Sequence, residues 1–274
     1  MDADYLQHID RLIQQRPVAG TALEPYRELA RLMIQAEPET MDIPEDEHLE
    51  IRRKEGFPLF SREGLPLDLG AASVLLNRFF KYLSKADRED RTGLLEALKQ
   101  SEKNSKWTDR LFAAILKQDE KALATMASQV GLDPRVLLFL GKTALKPSLE
   151  SLRRLMEESI DQKNWDHGYC PLCGSQPDMA CFTKTGKRQL HCEFCGEEWI
   201  FARIGCPFCN NDSQESLGYF EAEVEEGLMV YFCRSCQRYL KTIDRRVFEK
   251  VASLELESLA TLHLDVIANE KGFT

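Results

Sequence analysis

The 274-residue sequence has no apolar run long enough to cross a membrane; runs such as Val136–Leu140 are far shorter than the roughly 20 residues a helical span needs. A secretory signal is also missing, because Met1–Tyr5 is acidic rather than basic and no apolar stretch follows it. The net charge of −9 disfavours sequence-independent binding of nucleic acid, which requires a basic surface. These absences predict a cytoplasmic protein without a membrane span and without a nucleic-acid partner.

The common enzyme signatures are absent as well. The sequence has no phosphate-binding glycine loop, no His-Glu-x-x-His and no Ser or Cys nucleophile in a recognisable elbow. Its five histidines are scattered along the chain. We therefore predict that the protein is not an enzyme.

Cysteine, by contrast, is abundant and regularly spaced. Eight of the nine cysteines form four Cys-x-x-Cys pairs, namely Cys170/Cys173, Cys192/Cys195, Cys206/Cys209 and Cys233/Cys236. Two thiolates in such a turn converge on one ion, and two turns complete a tetrahedral Cys₄ shell. The tight spacing and the missing signal favour metal ligands in a reducing compartment over disulfides. We predict two metal sites with these eight cysteines as ligands.

The gaps between the pairs predict which pairs share an ion. Eighteen residues separate Cys173 from Cys192, and 23 separate Cys209 from Cys233; a β-hairpin fits each gap. Sequential pairing therefore gives two zinc-ribbon or rubredoxin-like modules, whereas a crossed pairing would interleave the hairpins. Gly174 and Gly196 follow two of the turns and can adopt a positive φ.

The spacing alone leaves the metal open between structural zinc and iron, because both accept a Cys₄ tetrahedron. Iron–sulfur clusters are less favoured, since the compact Cys-x-x-Cys-x-x-Cys run of bacterial ferredoxins is missing. Thioredoxin-type redox chemistry is disfavoured because no βαβ pattern surrounds any pair. Of the remaining candidates, Cys181 is predicted to be a buried free thiol, and His167 and His191 are predicted not to replace a thiolate.

The predicted fold class is α+β, with an all-α N-terminal domain, two tandem metal-binding β modules and a short C-terminal helix. The predicted boundaries are 1–164, 165–204, 205–244 and 245–274. Apolar periodicity predicts helices at Tyr5–Gln14, Leu23–Ala36, Ala71–Leu83, around Trp107–Ile115, around Leu123–Val130, from Pro134 to about Leu145, and from Pro147 onward. Strands are predicted at Met179–Thr183, Arg188–His191, Glu198–Ile204, Leu217–Val224, Leu228–Phe232 and Tyr239–Ile243.

Three further segments carry predictions. Ile43–Leu69 is expected to be a loop whose Phe57, Leu59 and Phe60 pack on the helical bundle. The acidic hairpin around Glu221, Glu223, Glu225 and Glu226 is expected to be a solvated edge. One closing helix is expected, with Leu259, Leu262, Val266 and Ile267 on one side and Gly272 past its end.

The motif Trp165-x-x-Gly168-x-Cys170-Pro171-x-Cys173-Gly174-Ser175-x-Pro177 closely resembles the formate dehydrogenase accessory protein family (FdhE). His191-Cys192-x-x-Cys195-x-x-x-Trp199, the two later pairs, Tyr239-Leu240-Lys241 and the ending from Leu259 to Gly272 extend the resemblance. The Gly56-x-Pro58-Leu59 stretch agrees with it too.

This resemblance implies a cytoplasmic factor needed to form active formate dehydrogenase. The factor would contact the catalytic subunit without being part of the finished enzyme. It also implies rubredoxin-like iron at both Cys₄ sites, two ions in all, with zinc as the alternative. A rubredoxin-like electron-transfer protein and a zinc-ribbon nucleic-acid binder are the competing functions.

Overall fold

A computed structural model describes residues 4–39, 42–43, 46–160, 165–221, 225–248 and 253–274. Helices occupy the described chain up to residue 156, six strands follow, and two short helices close it, so the predicted α+β class is confirmed. The helices are α1 (Asp4–Gln15), α2 (Pro17–Ile34), α3 (Asp46–Lys54), α4 (Leu69–Leu83), α5 (Arg91–Lys103), α6 (Ser105–Lys117), α7 (Glu120–Val130), α8 (Pro134–Met156), α9 (Leu254–Ala260) and α10 (Leu262–Glu270). None of these described helices combines the length and the hydropathy of a membrane span.

The chain divides into two compact units. One, the helical unit, contains Glu28–Pro44 and Phe60–Leu155. The other, the sheet unit, contains Asp4–Arg27, Glu45–Leu59 and Met156–Thr274. The predicted division assigned the first two of these segments to a helical domain of residues 1–164, and those boundaries stay a prediction.

The helical unit is organised around the predicted α4. Asp68 accepts a hydrogen bond from the backbone N–H of Ala71 and so caps the helix. The buried face consists of Ala72, Leu75, Leu76, Phe79 and Phe80. Phe80 packs edge-on against the buried Trp107 of α6, with ring centroids 6.5 Å apart. Each such side chain contributes about 1.5–3 kcal/mol by leaving water.

Two helices run through prolines. The sequence predicts a break before Pro147, but α8 is continuous from Pro134 to Met156. Likewise α2 begins at Pro17, ahead of the predicted Leu23, and contains Pro25. An internal proline costs about 3 kcal/mol, and in α8 the buried Leu145 and Leu149 on either side of Pro147 offset that cost.

The segment predicted as a loop contains α3, which the apolar pattern did not reveal. Most of its residues are charged, and Leu49 supplies its buried contact. Leu59 and Phe60 are buried as predicted, but Phe57 is 56% exposed, so its predicted packing is wrong.

All six strands form one sheet in the order β3-β2-β1-β6-β5-β4. The strands are β1 (Pro177–Phe182), β2 (Arg188–Cys192), β3 (Glu198–Phe201), β4 (Leu217–Glu221), β5 (Leu228–Cys233) and β6 (Tyr239–Asp244). Each predicted module supplies three strands, and β1 pairs with β6 in parallel, with Met179 opposite Lys241 and Phe182 opposite Asp244. The two modules are therefore continuous through a strand pairing that their sequence spacing did not predict.

The C-terminal helices cover this sheet. Met179, Cys181, Leu228, Val230, Ile243, Leu254, Leu264 and Ala268 form a buried cluster shared by strands and helices. The prediction of one closing helix is wrong, because α9 ends at Ala260 and α10 begins at Leu262. Of the residues predicted to share one side, Leu262 and Val266 are exposed and Ile267 packs against the buried cluster, to which Leu264 and Ala268 belong.

Candidate metal centres

The first candidate centre is built from the turn before β1 and the turn between β2 and β3. It groups Cys170, Cys173, Cys192 and Cys195, all of them buried. The Sγ atoms of Cys170 and Cys195, of Cys173 and Cys192, and of Cys173 and Cys195 are each 3.5 Å apart. A tetrahedral ion about 2.3 Å from each sulfur sets the sulfurs about 3.8 Å apart. This spacing fits a single metal ion.

The second candidate centre is built in the same way from the turn before β4 and the turn between β5 and β6. It groups Cys206, Cys209, Cys233 and Cys236. The Sγ atoms of Cys206 and Cys236 are 3.6 Å apart, and those of Cys209 and Cys233 are 3.8 Å apart. Cys209 is exposed and Cys236 half-buried, so this centre is more open to solvent than the first. The grouping in both centres is the sequential one, not the crossed one.

All four Cys-x-x-Cys turns have the same backbone. In each, the residue after the second cysteine donates its N–H to the carbonyl of the first cysteine. The donors are Gly174, Gly196, Asn210 and Gln237, at 2.9, 3.2, 3.0 and 2.9 Å. All four have a positive φ. The sequence revealed only the two glycines as positive-φ residues, because asparagine and glutamine adopt this conformation less often.

The thiols are placed where a cation would stabilise them. Burial raises the pKa of Cys170 and Cys195 well above the usual value, and it raises that of Cys206 to about 12. Burial is the largest single influence on Cys233, but hydrogen bonds from the N–H groups of Cys236 and Ser235 and from the side chains of Cys209 and Asn211 together lower its pKa to about 6. Hydrogen bonds from Cys170, Cys192 and Cys195 lower the pKa of Cys173 well below its usual value. Neutral thiols are thus favoured at Cys170, Cys195 and Cys206 unless a cation compensates the thiolates. The donor set fits zinc or iron equally well.

The segment after α3 braces the first centre. The backbone N–H of Leu59 donates to the carbonyl of Pro171, inside the first turn, at 2.8 Å. The hydroxyl of Tyr169 donates to the carbonyl of Gly56 at 2.9 Å. These contacts place the Gly56-x-Pro58-Leu59 stretch against the first cysteine turn, a proximity that the sequence alone did not reveal.

Gly168 marks a close backbone approach between the two centres. A Cβ atom at this position would lie 1.9 Å from the carbonyl oxygen of Pro207, which belongs to the third cysteine turn. Since that neighbour is backbone, it cannot move aside as a flexible side chain would. The glycine of the motif is therefore required by sterics rather than by its own φ.

The other predicted candidates have structural surroundings. Cys181 is buried beside Gln189, and burial raises its pKa to about 11, which confirms the predicted buried thiol. His191 Nδ1 lies 2.7 Å from Asp178 Oδ1, and the ring of His167 stacks on Tyr169 at 4.8 Å. Neither histidine is in a cysteine group, as predicted.

The acidic hairpin is only partly a solvated edge. Glu221 and Glu226 are exposed, whereas Glu223 lies outside the described residues. The Glu225 carboxylate instead lies 3.8 Å from Arg16 Nε, with which it forms an ion pair, and 3.2 Å from His263 Nε2. For Glu225 the prediction of a solvated side chain is wrong, because Arg16 belongs to an N-terminal segment that the sequence pattern did not place near the hairpin.

Comparison with known proteins finds relatives that share one name. The chain is 30% identical over 161 residues to a protein named FdhE homolog from Aquifex aeolicus, covering 57% of this chain and 56% of that one. It is 31% identical over 127 residues to a protein of the same name from Shewanella oneidensis, covering 44% and 39%. The chain thus spans about half, or less, of the length of these relatives. No protein-family profile matches it.

A solved structure shares the fold over the whole length. The crystal structure of the FdhE protein from Pseudomonas aeruginosa superposes with a TM-score of 0.73 and 24% identity, covering 100% of this chain and 94% of that one.

Proposed function

We propose, from its cysteine motifs and its similarity to proteins named FdhE homolog, that this chain is an accessory factor for formate dehydrogenase. In this proposal it acts in the cytoplasm, binds the catalytic subunit during maturation and is absent from the finished enzyme. The observation that carries the proposal is the pair of Cys₄ groups, built on one sheet in a chain with FdhE relatives. The protein itself catalyses no reaction.

We further propose that each group holds one metal ion, with all eight cysteines as ligands. Iron is proposed on the strength of the family resemblance, and zinc is the alternative because the donor set accepts both. Metal analysis of anaerobically purified protein should find two ions per chain and no acid-labile sulfide. One ion per chain, or a sulfide signal, would reject the assignment.

The maturation role is tested in cells that make formate dehydrogenase. Deleting the gene for this chain should abolish formate dehydrogenase activity while the catalytic polypeptide is still made. A tagged chain should co-purify with that polypeptide and not with the mature enzyme. The variant Cys173→Ser should fail to restore activity, whereas Tyr82→Phe, in the helical unit, should restore it.

Electron transfer is the function to distinguish from this one, since rubredoxin-like iron can also carry electrons. That function requires a reversible iron couple and a redox partner, and the deletion would then leave assembly of formate dehydrogenase intact. An active, assembled enzyme in the deletion strain would therefore contradict the maturation role.

A further inference from the structure

A cavity of about 310 Å³ opens beside the second cysteine centre, entirely within the sheet unit. Its walls come from the start of β2, the third cysteine turn, the β4–β5 hairpin and the start of β6. Aromatic rings form much of the lining, including Phe208, Tyr219 and Tyr231. A volume of this order is at the lower end of what small-molecule sites occupy.

Three arginines line the cavity, and no aspartate or glutamate among the described residues does. Arg188 comes from the first residue of β2, Arg203 follows β3, and Arg238 precedes β6. In a chain whose net charge is −9, a concave wall with three arginines and no carboxylate among the described residues is a local reversal of the surface charge. Such a wall attracts anions.

Arg188 is the most unusual of the three, because its guanidinium is buried without a carboxylate partner. The residue is 3% exposed, and NH1 donates to the carbonyl of Gly205 at 2.8 Å. Its Nε has no hydrogen-bond partner in the described part of the chain. Its carbon Cζ lies 5.6 Å from the ring centroid of Tyr231 and 5.9 Å from that of Phe201. A buried cation normally requires an anion or full hydrogen bonding to offset its desolvation.

The other two arginines form no direct ion pair with a carboxylate in the described residues, although the charge of Arg203 helps to lower the pKa of Asp244, which does not line the cavity. Arg203 NH1 lies 3.3 Å from the carbonyl oxygen of Gly186. Arg238 stacks over Phe208, with Cζ 3.8 Å from the ring centroid. The planar guanidinium fork binds two oxygens of a carboxylate or phosphate at once, and an aromatic lining accepts a flat apolar body.

We propose that this cavity is a binding site for a small anion with an aromatic or apolar body, its carboxylate or phosphate held by Arg188 and Arg203. The site goes beyond the proposed function and does not depend on it. The thiolates of Cys206 and Cys233 also line the cavity, so part of the positive charge balances the metal centre. The ligand would use the guanidinium nitrogens that the thiolates and Gly205 leave unpaired.

The test is calorimetric titration of the metal-loaded full-length protein with benzoate and with phenyl phosphate. Benzyl alcohol serves as the neutral probe of the same body, and inorganic phosphate as the anion without a body. At least one aromatic anion should bind at least about tenfold more tightly than either control, because both charge and stacking contribute. If neither aromatic anion binds at millimolar concentration, the site does not exist.

Variants then locate the binding. Arg203→Gln, on an exposed residue whose loss leaves the core intact, should weaken binding by about tenfold, and Arg188→Lys should weaken it as well because an ammonium cannot form the fork. Lys187→Gln removes the same charge from the exposed neighbour of Arg188 and should leave binding unchanged. Equal affinities in Arg203→Gln, Arg188→Lys and the unchanged protein would mean an adventitious surface association and would overturn the proposal.

Discussion

At the scale of single residues, Gly168 is constrained by the backbone of the third cysteine turn. Gly168→Ala should destabilise the sheet unit by about 3 kcal/mol or more, because the new Cβ would meet the Pro207 carbonyl at 1.9 Å. Thermal unfolding of the metal-loaded protein measures the loss. Gly20→Ala is the matched control: it lies inside α2, its nearest neighbour would be 3.5 Å away, and it should stabilise by about 0.5–1 kcal/mol. Equal melting temperatures for the two variants would contradict the steric account.

The four equivalent turns allow a second comparison, of backbone strain alone. Gly196 has φ +76° and would place a Cβ no nearer than 3.8 Å to His191, so Gly196→Ala tests conformation rather than contact. It should cost about 1–2 kcal/mol, and Gln237→Gly, at φ 60° in the fourth turn, should change stability in the opposite direction. The rate of metal loss to a chelator should rise in the first variant and fall in the second. A change of the same sign in both would rule out the strain.

At the scale of elements, the bracing of the first turn by the segment after α3 is the contact to test. Tyr169→Phe deletes the hydroxyl that donates to Gly56 and keeps the ring. Its expected cost is about 0.5–1.5 kcal/mol, seen as faster metal release from the first centre with the second centre unchanged. Tyr82→Phe, on a residue 36% exposed in the helical unit, should change neither rate. If the variant Tyr169→Phe releases both metals at the unchanged rates, the brace is not a stabilising contact.

At the same scale, local sequence patterns were sufficient to predict the strands and the cysteine turns. Two hairpin turns placed four of the strands, and alternation placed the one at Glu198–Ile204, although β3 ends at Phe201. The fixed Cys-x-x-Cys spacing placed the metal-binding turns. These signals were sufficient because they depend on neighbours close in the chain. The parallel pairing of β1 with β6 joins Met179 to Lys241, and no local pattern specifies such a distant partner. Helix α3 was not predicted, because most of its residues are charged and the sequence therefore shows little apolar periodicity there. The predicted helix break at Pro147 was wrong, because the energetic cost of a proline inside a helix is outweighed by the burial of Leu145 and Leu149, which only the folded chain provides.

The candidate site was predictable to the same extent. The identity and grouping of the cysteines follow from spacing, whereas the cavity does not, because Arg188, Arg203 and Arg238 are scattered over 51 residues and converge only through the sheet. The brace of the first centre by Leu59 was equally hidden, since its partner Pro171 is more than a hundred residues away.

At the scale of the whole molecule, the division into two units predicts that metal loss is not felt everywhere. Cys173 is buried in the first centre, so Cys173→Ser should release that ion and destabilise the sheet unit, because the free energy of metal binding, about 10–16 kcal/mol for a structural ion, is lost from the stability of the fold. The helical unit has a core of its own around Phe79 and Phe80 and should stay folded. Circular dichroism should therefore retain most of the helical signal of α4–α8 while limited proteolysis removes the sheet unit.

The exposed ligand of the second centre provides the matched case. Cys209→Ser changes a thiol at the surface, where a serine hydroxyl can be solvated and three thiolates remain. It should lower the affinity of the second centre for its ion and leave the first centre loaded, so metal analysis should find between one and two ions per chain. Since the two centres share one sheet through β1 and β6, complete loss of the second ion by chelation should also raise the rate of release from the first. Independent release rates would show that the two centres are not coupled through the shared sheet. A folded Cys173→Ser protein that lacks the first ion would show that this ion is not structural.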